Sequence, residues 1–162
     1  MTAPALASAL SFVLPPLPAE FVQRVRTTGR DDFGRAVRVM IAAGGEPMRD
    51  QLRRATAGER LILCSYQAVP LPSEFAEIGP VFISADQAPA RVPAGEVPAG
   101  YFNRTFALRA YDAGDRIVHS TLVAPEDAPV AFRELLARPG VAYLHARFAG
   151  HGCFAARIDR AG

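Results

Sequence analysis

Lysine is missing from this chain: all eighteen basic residues are arginine, and the formal charge is only +2 over 162 residues. That absence excludes a lysine Schiff base, a lysine-anchored pyridoxal phosphate and a P-loop lysine on a nucleotide phosphate. The arginines come with abundant alanine, glycine and proline, the mark of a GC-rich coding bias, so their number alone does not argue for anion or nucleic-acid binding. Cysteine is scarce: Cys64 and Cys153 are too few for a disulfide framework and are expected as thiols in a reducing compartment. The HExxH, CxxC, GxSxG and GxGxxG patterns are absent, and no carboxylate pair is spaced for glycoside hydrolysis. No run is long and apolar enough to span a bilayer, and the apolar start lacks the basic residues of a signal peptide. A cytoplasmic protein with no cofactor and no membrane partner is the expectation.

Half of the residues are apolar, which excludes wholesale disorder. The length suits a single domain, 1–162, with residues 1–10 as a disordered tail. Strands are expected at residues 11–14, 36–42 and 81–84, and a helix carrying Phe21, Val22 and Val25 should end near Gly29. Residues 60–66 (RLILCSY) are apolar on both faces through Leu63, the pattern of a central, doubly covered strand. Residues 48–56 suit either a helical turn or an edge strand, and 85–100 read as loop. A hairpin, 105–111 with 116–123, should bury Phe106, Leu108 and Ala110 with Val118 and Leu122, leaving Arg109, Tyr111, His119 and Thr121 opposite. A helix after Pro125, with Ala128, Ala131, Phe132 and Leu135 as its apolar stripe, should stop at Pro139–Gly140. The fold class is α+β: a largely antiparallel or mixed sheet of about six or seven strands, with two or three helices on one face. The segment 123–141 is long enough for a parallel crossover.

The last twenty residues are the most informative. GVAYLHARFAGHGCFAARID reads as a hairpin turning at Gly150, His151 and Gly152. In that register Leu144, Ala146 and Phe148 share one face with Phe154, Ala156 and Ile158. The other face collects Tyr143, His145, Arg147, Cys153, Arg157 and Asp159, with His145 opposite Arg157.

The blocks AGERLILCSY (57–66), GPVFI (79–83), LRAYDAGDRIV (108–118) and PGVAYLHARFAGHGCFAARIDRA (139–161) resemble a bacterial family known only as domain of unknown function 1203. Its terminal Tyr–x–His–x motif and Gly–Cys–Phe step correspond to Tyr143–Leu144–His145–Ala146 and Gly152–Cys153–Phe154. Where many relatives have Pro–Cys–Arg, this chain has Pro47–Met48–Arg49, which weakens any scheme needing two cooperating cysteines. The resemblance implies no reaction.

Two arginines and an imidazole converging on one sheet face would make an anion site, because guanidinium offers a rigid fork to carboxylate or phosphate. The leading expectation is therefore a small anionic-metabolite-binding module using Tyr143, Arg147 and Arg157, extended by Arg109 and His119 if the two hairpins are neighbours. A thiol-dependent enzyme, with Cys153 as catalytic nucleophile and His145 as its base, is a second reading. A protein-interaction domain using a strand edge and the loops 67–80 and 86–100 is a third. The plain alternative is a sheet face turned to water, where arginine and aspartate belong. His145, His151, Cys153 and His119 match no zinc spacing, so no metal is expected. Arginines 24, 26, 30, 35 and 38 lack interleaved aromatics, which argues against nucleic acid.

Overall fold

The strand expected at 60–66 exists, extends to Val69, and lies in a different sheet from the terminal hairpin. The computed structural model describes residues 10–162; the expected tail, 1–10, lies almost wholly outside the described residues. In chain order the elements are β1 (Phe12–Val13), α1 (Ala19–Thr28), β2 (Arg38–Ile41), β3 (Pro47–Met48), β4 (Arg53–Arg54), β5 (Arg60–Val69) and β6 (Glu77–Ser84). Then come β7 (Phe106–Tyr111), β8 (Ile117–Val123), a 3₁₀ turn (Pro125–Asp127), α2 (Ala128–Leu136), β9 (Tyr143–Phe148) and β10 (Phe154–Arg160).

Two sheets of five strands replace the single sheet expected, ordered β1-β10-β9-β7-β8 and β2-β5-β6-β3-β4. The long stretch between β6 and β7 breaks the succession of short turns, and after it the chain returns to the sheet that β1 belongs to. Every strand pair is antiparallel except β3 with β6, joined at Met48 and Phe82. The 123–141 segment crosses over β7, which separates β8 from β9, so no parallel pair forms there. The helices are not on one face either. Phe132, Leu135 and Leu136 of α2 pack with Phe106, Leu108, Leu144 and Ile158, whereas Phe21, Val22 and Val25 of α1 pack with Ile62, Val81 and Ile83. Each sheet thus has its own apolar cover. α1 stops at Gly29, which takes the left-handed conformation (φ 66°) open to glycine.

Two bulges revise the expected faces. Between Ala110 and Tyr111 the β7–β8 register slips, so Leu108 faces Thr121 and Ala110 faces His119. A one-residue slip exchanges the faces of a strand, and the expected placement of Val118 and Leu122 in the core is wrong: they are 41 % and 69 % exposed. In the terminal hairpin the expected pairs Ala146–Ala156, His145–Arg157 and Leu144–Ile158 form, but Phe154 pairs with Arg147 across a second bulge. Phe154 thereby joins the face of His145, with ring centroids 4.9 Å apart. Cys153, its neighbour, turns the other way.

Candidate functional site

Register brings most of the expected polar residues together. Arg109 and Arg157 flank His145 on the neighbouring strands, with Tyr111 and Tyr143 stacked beside it, 5.0 Å between ring centroids. Around His145, Tyr111 and Tyr143 this face is buried rather than turned to water. Val69 packs on both tyrosines, and Glu77 at the start of β6 pairs with Arg109 and Arg147. The roof is the β5–β6 hairpin.

The charges on this face are already answered. Glu77 takes two guanidinium groups, Asp159 accepts both of its hydrogen bonds from Nε of Arg157 (2.8 and 3.0 Å), and that guanidinium lies 4.0 Å from the Tyr143 ring centre. Tyr143 Oη donates to Asp115 (2.7 Å). His145 is 1 % exposed, and neither its Nδ1 nor the Tyr111 hydroxyl has a hydrogen-bond partner among the described residues. Burial first, then Arg157, Arg147 and Arg109, hold the imidazole down at about 3, so it is neutral at physiological pH. A base needs a proton to take within reach; the expected partner, Cys153, does not share this face. The Cys153–His145 pair of the thiol-enzyme reading is not formed, because the bulge turns the thiol away. His119 is also elsewhere: Nδ1 lies 3.1 Å from Arg138 Nη1, beyond the end of α2.

Cys153 instead lines a cleft of about 710 Å³ between the hairpin tip and the face of the second sheet opposite α1, within the size range of small-molecule sites. Leu63, Pro80, Phe82 and Phe148 form its apolar wall, Arg49, Arg54 and Arg104 its cationic one, and His151 lies on its lining too. Pro80 stands in β6 beyond the single β3–β6 pairing at Phe82, on an unpaired stretch of edge where its missing N–H costs nothing.

The arginines here differ from those beneath Glu77. Arg49 is 4 % exposed; Nε donates to Phe154 O (2.8 Å) and Nη1 to Pro47 O (2.7 Å). Arg54 donates to Tyr101 O (3.1 Å) and Gly45 O (2.8 Å). Both guanidinium carbons lie 5.2 Å from the Phe148 ring centre. Among the described residues, no carboxylate pairs with Arg49, Arg54 or Arg104, and no protein acceptor reaches Nη2 of Arg49. Burial, and then Arg54, push the Arg49 guanidinium below its ordinary range; burial, and then Arg104, do the same to Arg54. Arg54 thus repels a positive group on either side, and none of the three has a carboxylate partner among the described residues.

Sequence reading missed these three arginines because they come from β3–β4 and from the approach to β7, segments with no shared motif. Only a fold brings them to one wall. Elsewhere arginine is structural: Arg26 holds Ser84 O, Gln87 O and Asp50, and Arg24 pairs with Asp32. Part of the 67–80 stretch expected as loop is strand, in β5 and β6. Among the described residues, no three His, Cys, Asp or Glu side chains gather to hold a metal ion, and no helix is long and apolar enough to cross a membrane.

The fold and cleft define a mostly β protein of two sheets with an arginine-lined pocket. Residues 45–160 match the family described as "Protein of unknown function (DUF1203)", and the chain belongs to that family. All three cleft arginines and Cys153 lie within the matched span. No curated protein and no solved structure matches the chain.

Proposed function

We propose that the protein binds a small organic anion in the cleft lined by Arg49, Arg54 and Arg104. Arg49 carries this reading. A guanidinium removed from water without an opposing charge costs several kcal/mol in desolvation, and here only backbone carbonyls answer it. A bound carboxylate or phosphate offsets that cost and can take charge-assisted bonds from more than one guanidinium. The apolar wall of Leu63, Phe82 and Phe148 favours an anion with an apolar body over an inorganic ion. The anion-binding reading of the sequence is kept and moved: the face of His145 already has its carboxylates, and among the described residues the cleft has none.

The test is a thermal-shift panel of aryl and alkyl carboxylates and organic phosphates. At least one class is expected to raise the Tm of the parent, with the shift lost in Arg54→Ala and kept in Arg157→Ala. A panel that leaves the parent unmoved, or a shift that follows Arg157 instead, contradicts the proposal.

A further inference from the structure

The cleft places a thiol against its cationic wall. Cys153 is partly exposed and lines the same cavity as Arg49, Arg54 and Arg104. The thiol does not stand alone as a feature: the guanidinium beside it is 4 % exposed, faces the cavity, and has an Nη2 that no protein acceptor satisfies among the described residues. The second cysteine has no access to this space. Leu63 lines the cleft, so Cys64, the next residue along β5, belongs to the opposite face, buried under α1.

We infer that Cys153 is a site of S-thiolation by the disulfide of a low-molecular-weight thiol that carries carboxylates. This rests on the cleft being an anion site and adds a covalent consequence to it. The arginines draw the anionic disulfide to the sulfur, as a field of one sign concentrates an oppositely charged reactant. The Cys153 thiol gives its proton to solvent, and the sulfur attacks one sulfur of the bound disulfide. That S–S bond breaks, a new one forms to Cys153, and the other half leaves as a thiolate. The small-molecule disulfide is the oxidant and accepts two electrons; the protein thiol and the retained half end as a mixed disulfide. Cys64, on the far face of β5, is not placed to displace the adduct, so the product persists until an external thiol reverses it.

The test compares oxidised glutathione, which is anionic, with neutral hydroxyethyl disulfide and cationic cystamine. Each rate is divided by that of a free cysteine peptide, and adducts are located by intact mass and peptide mapping. The expected result is a single adduct on Cys153, formed at least tenfold faster with oxidised glutathione than with either comparator. In Arg104→Ala, and at high salt, that preference is expected to fall several-fold. Equal normalised rates for the three disulfides, or an adduct confined to Cys64, overturn the inference. Cys153→Ser separates the two levels: a carboxylate-induced Tm shift retained in this variant, with no charge preference in the parent's thiolation, sinks the covalent step alone. A shift absent from both proteins sinks the anion site and this inference with it.

Discussion

Beneath the β5–β6 hairpin, Arg109, Arg147 and Arg157 meet Glu77 and Asp159. Around the tip of the same ribbon, Arg49, Arg54 and Arg104 meet no carboxylate among the described residues. Both regions hold three arginines, a histidine and an aromatic wall, so composition does not separate them. What separates them is where the carboxylates fall. The first is an ion-paired layer that joins two sheets, each guanidinium meeting a carboxylate, and the second retains its positive charge at the edge of an open space. Counting cations therefore says little about a ligand; counting the charges that answer them says more.

Removing the shared carboxylate tests the first region. Glu77→Gln leaves two part-buried guanidinium groups without their partner and is expected to cost about 2.5 kcal/mol, between the values for an exposed and a buried ion pair. The urea midpoint should fall accordingly while any anion-induced Tm shift survives in the folded variant. A loss below about 1 kcal/mol, the value of an exposed pair, would show that the layer is not a closed one.

Acid is expected to act on the same region with the next largest effect. The folded state holds His145 at about 3 against an ordinary 6.5, so below 6.5 the unfolded chain binds a proton that the folded chain refuses. Stability is then fully present above 6.5 and is lost as pH falls toward 3, with a limiting slope of about 1.4 kcal/mol per pH unit. From pH 7 to pH 5 this amounts to roughly 2 kcal/mol. Glu59, held at about 2 by its bond from Arg53 against an ordinary 4.5, begins to lose its share only as pH falls through 4.5, so the span from 6.5 to 4.5 reads His145 without it. His145→Gln should flatten the slope over that span, and an unchanged slope in that variant would assign the acid sensitivity to another group.

The cleft should respond in the opposite way. Arg104 is exposed, so Arg104→Ala is expected to change folding stability by no more than about 0.5 kcal/mol. Its affinity for the organic anion should nevertheless fall about tenfold, or about 1.4 kcal/mol. Calorimetric titration beside urea unfolding reads both quantities, and a variant that loses stability but keeps affinity would reverse the assignment. The smallest change is a label. Cys64 is buried and its thiol is pushed up to about 12, chiefly by burial, whereas Cys153 lines the cleft. Iodoacetamide should modify Cys153 in the folded protein and reach Cys64 only after unfolding; equal labelling would place both thiols in similar surroundings.

How much of this was legible in the sequence depends on the length scale. Alternation and punctuation located β5, α1 with its Gly29 stop, and α2 with Phe132 on its buried stripe. They also paired His145 with Arg157. The bulges at Tyr111 and Phe154 were not legible, since each adds a residue without changing the apolar pattern around it, and they decide which way Leu122 and Cys153 point. The roof over His145 depends on Glu77 reaching Arg147, seventy residues away in sequence, and nothing local signals that contact. The cleft arginines were invisible for the same reason.

Nitrogen-15 NMR of the arginine side chains compares the two regions within one sample. On titration with an anion chosen from the thermal-shift panel, the Nε–Hε signals of Arg49, Arg54 and Arg104 are expected to move together and saturate, while those of Arg109, Arg147 and Arg157 stay in place. Movement confined to the second set, or no movement in either, would contradict an anion site built on uncompensated guanidinium charge.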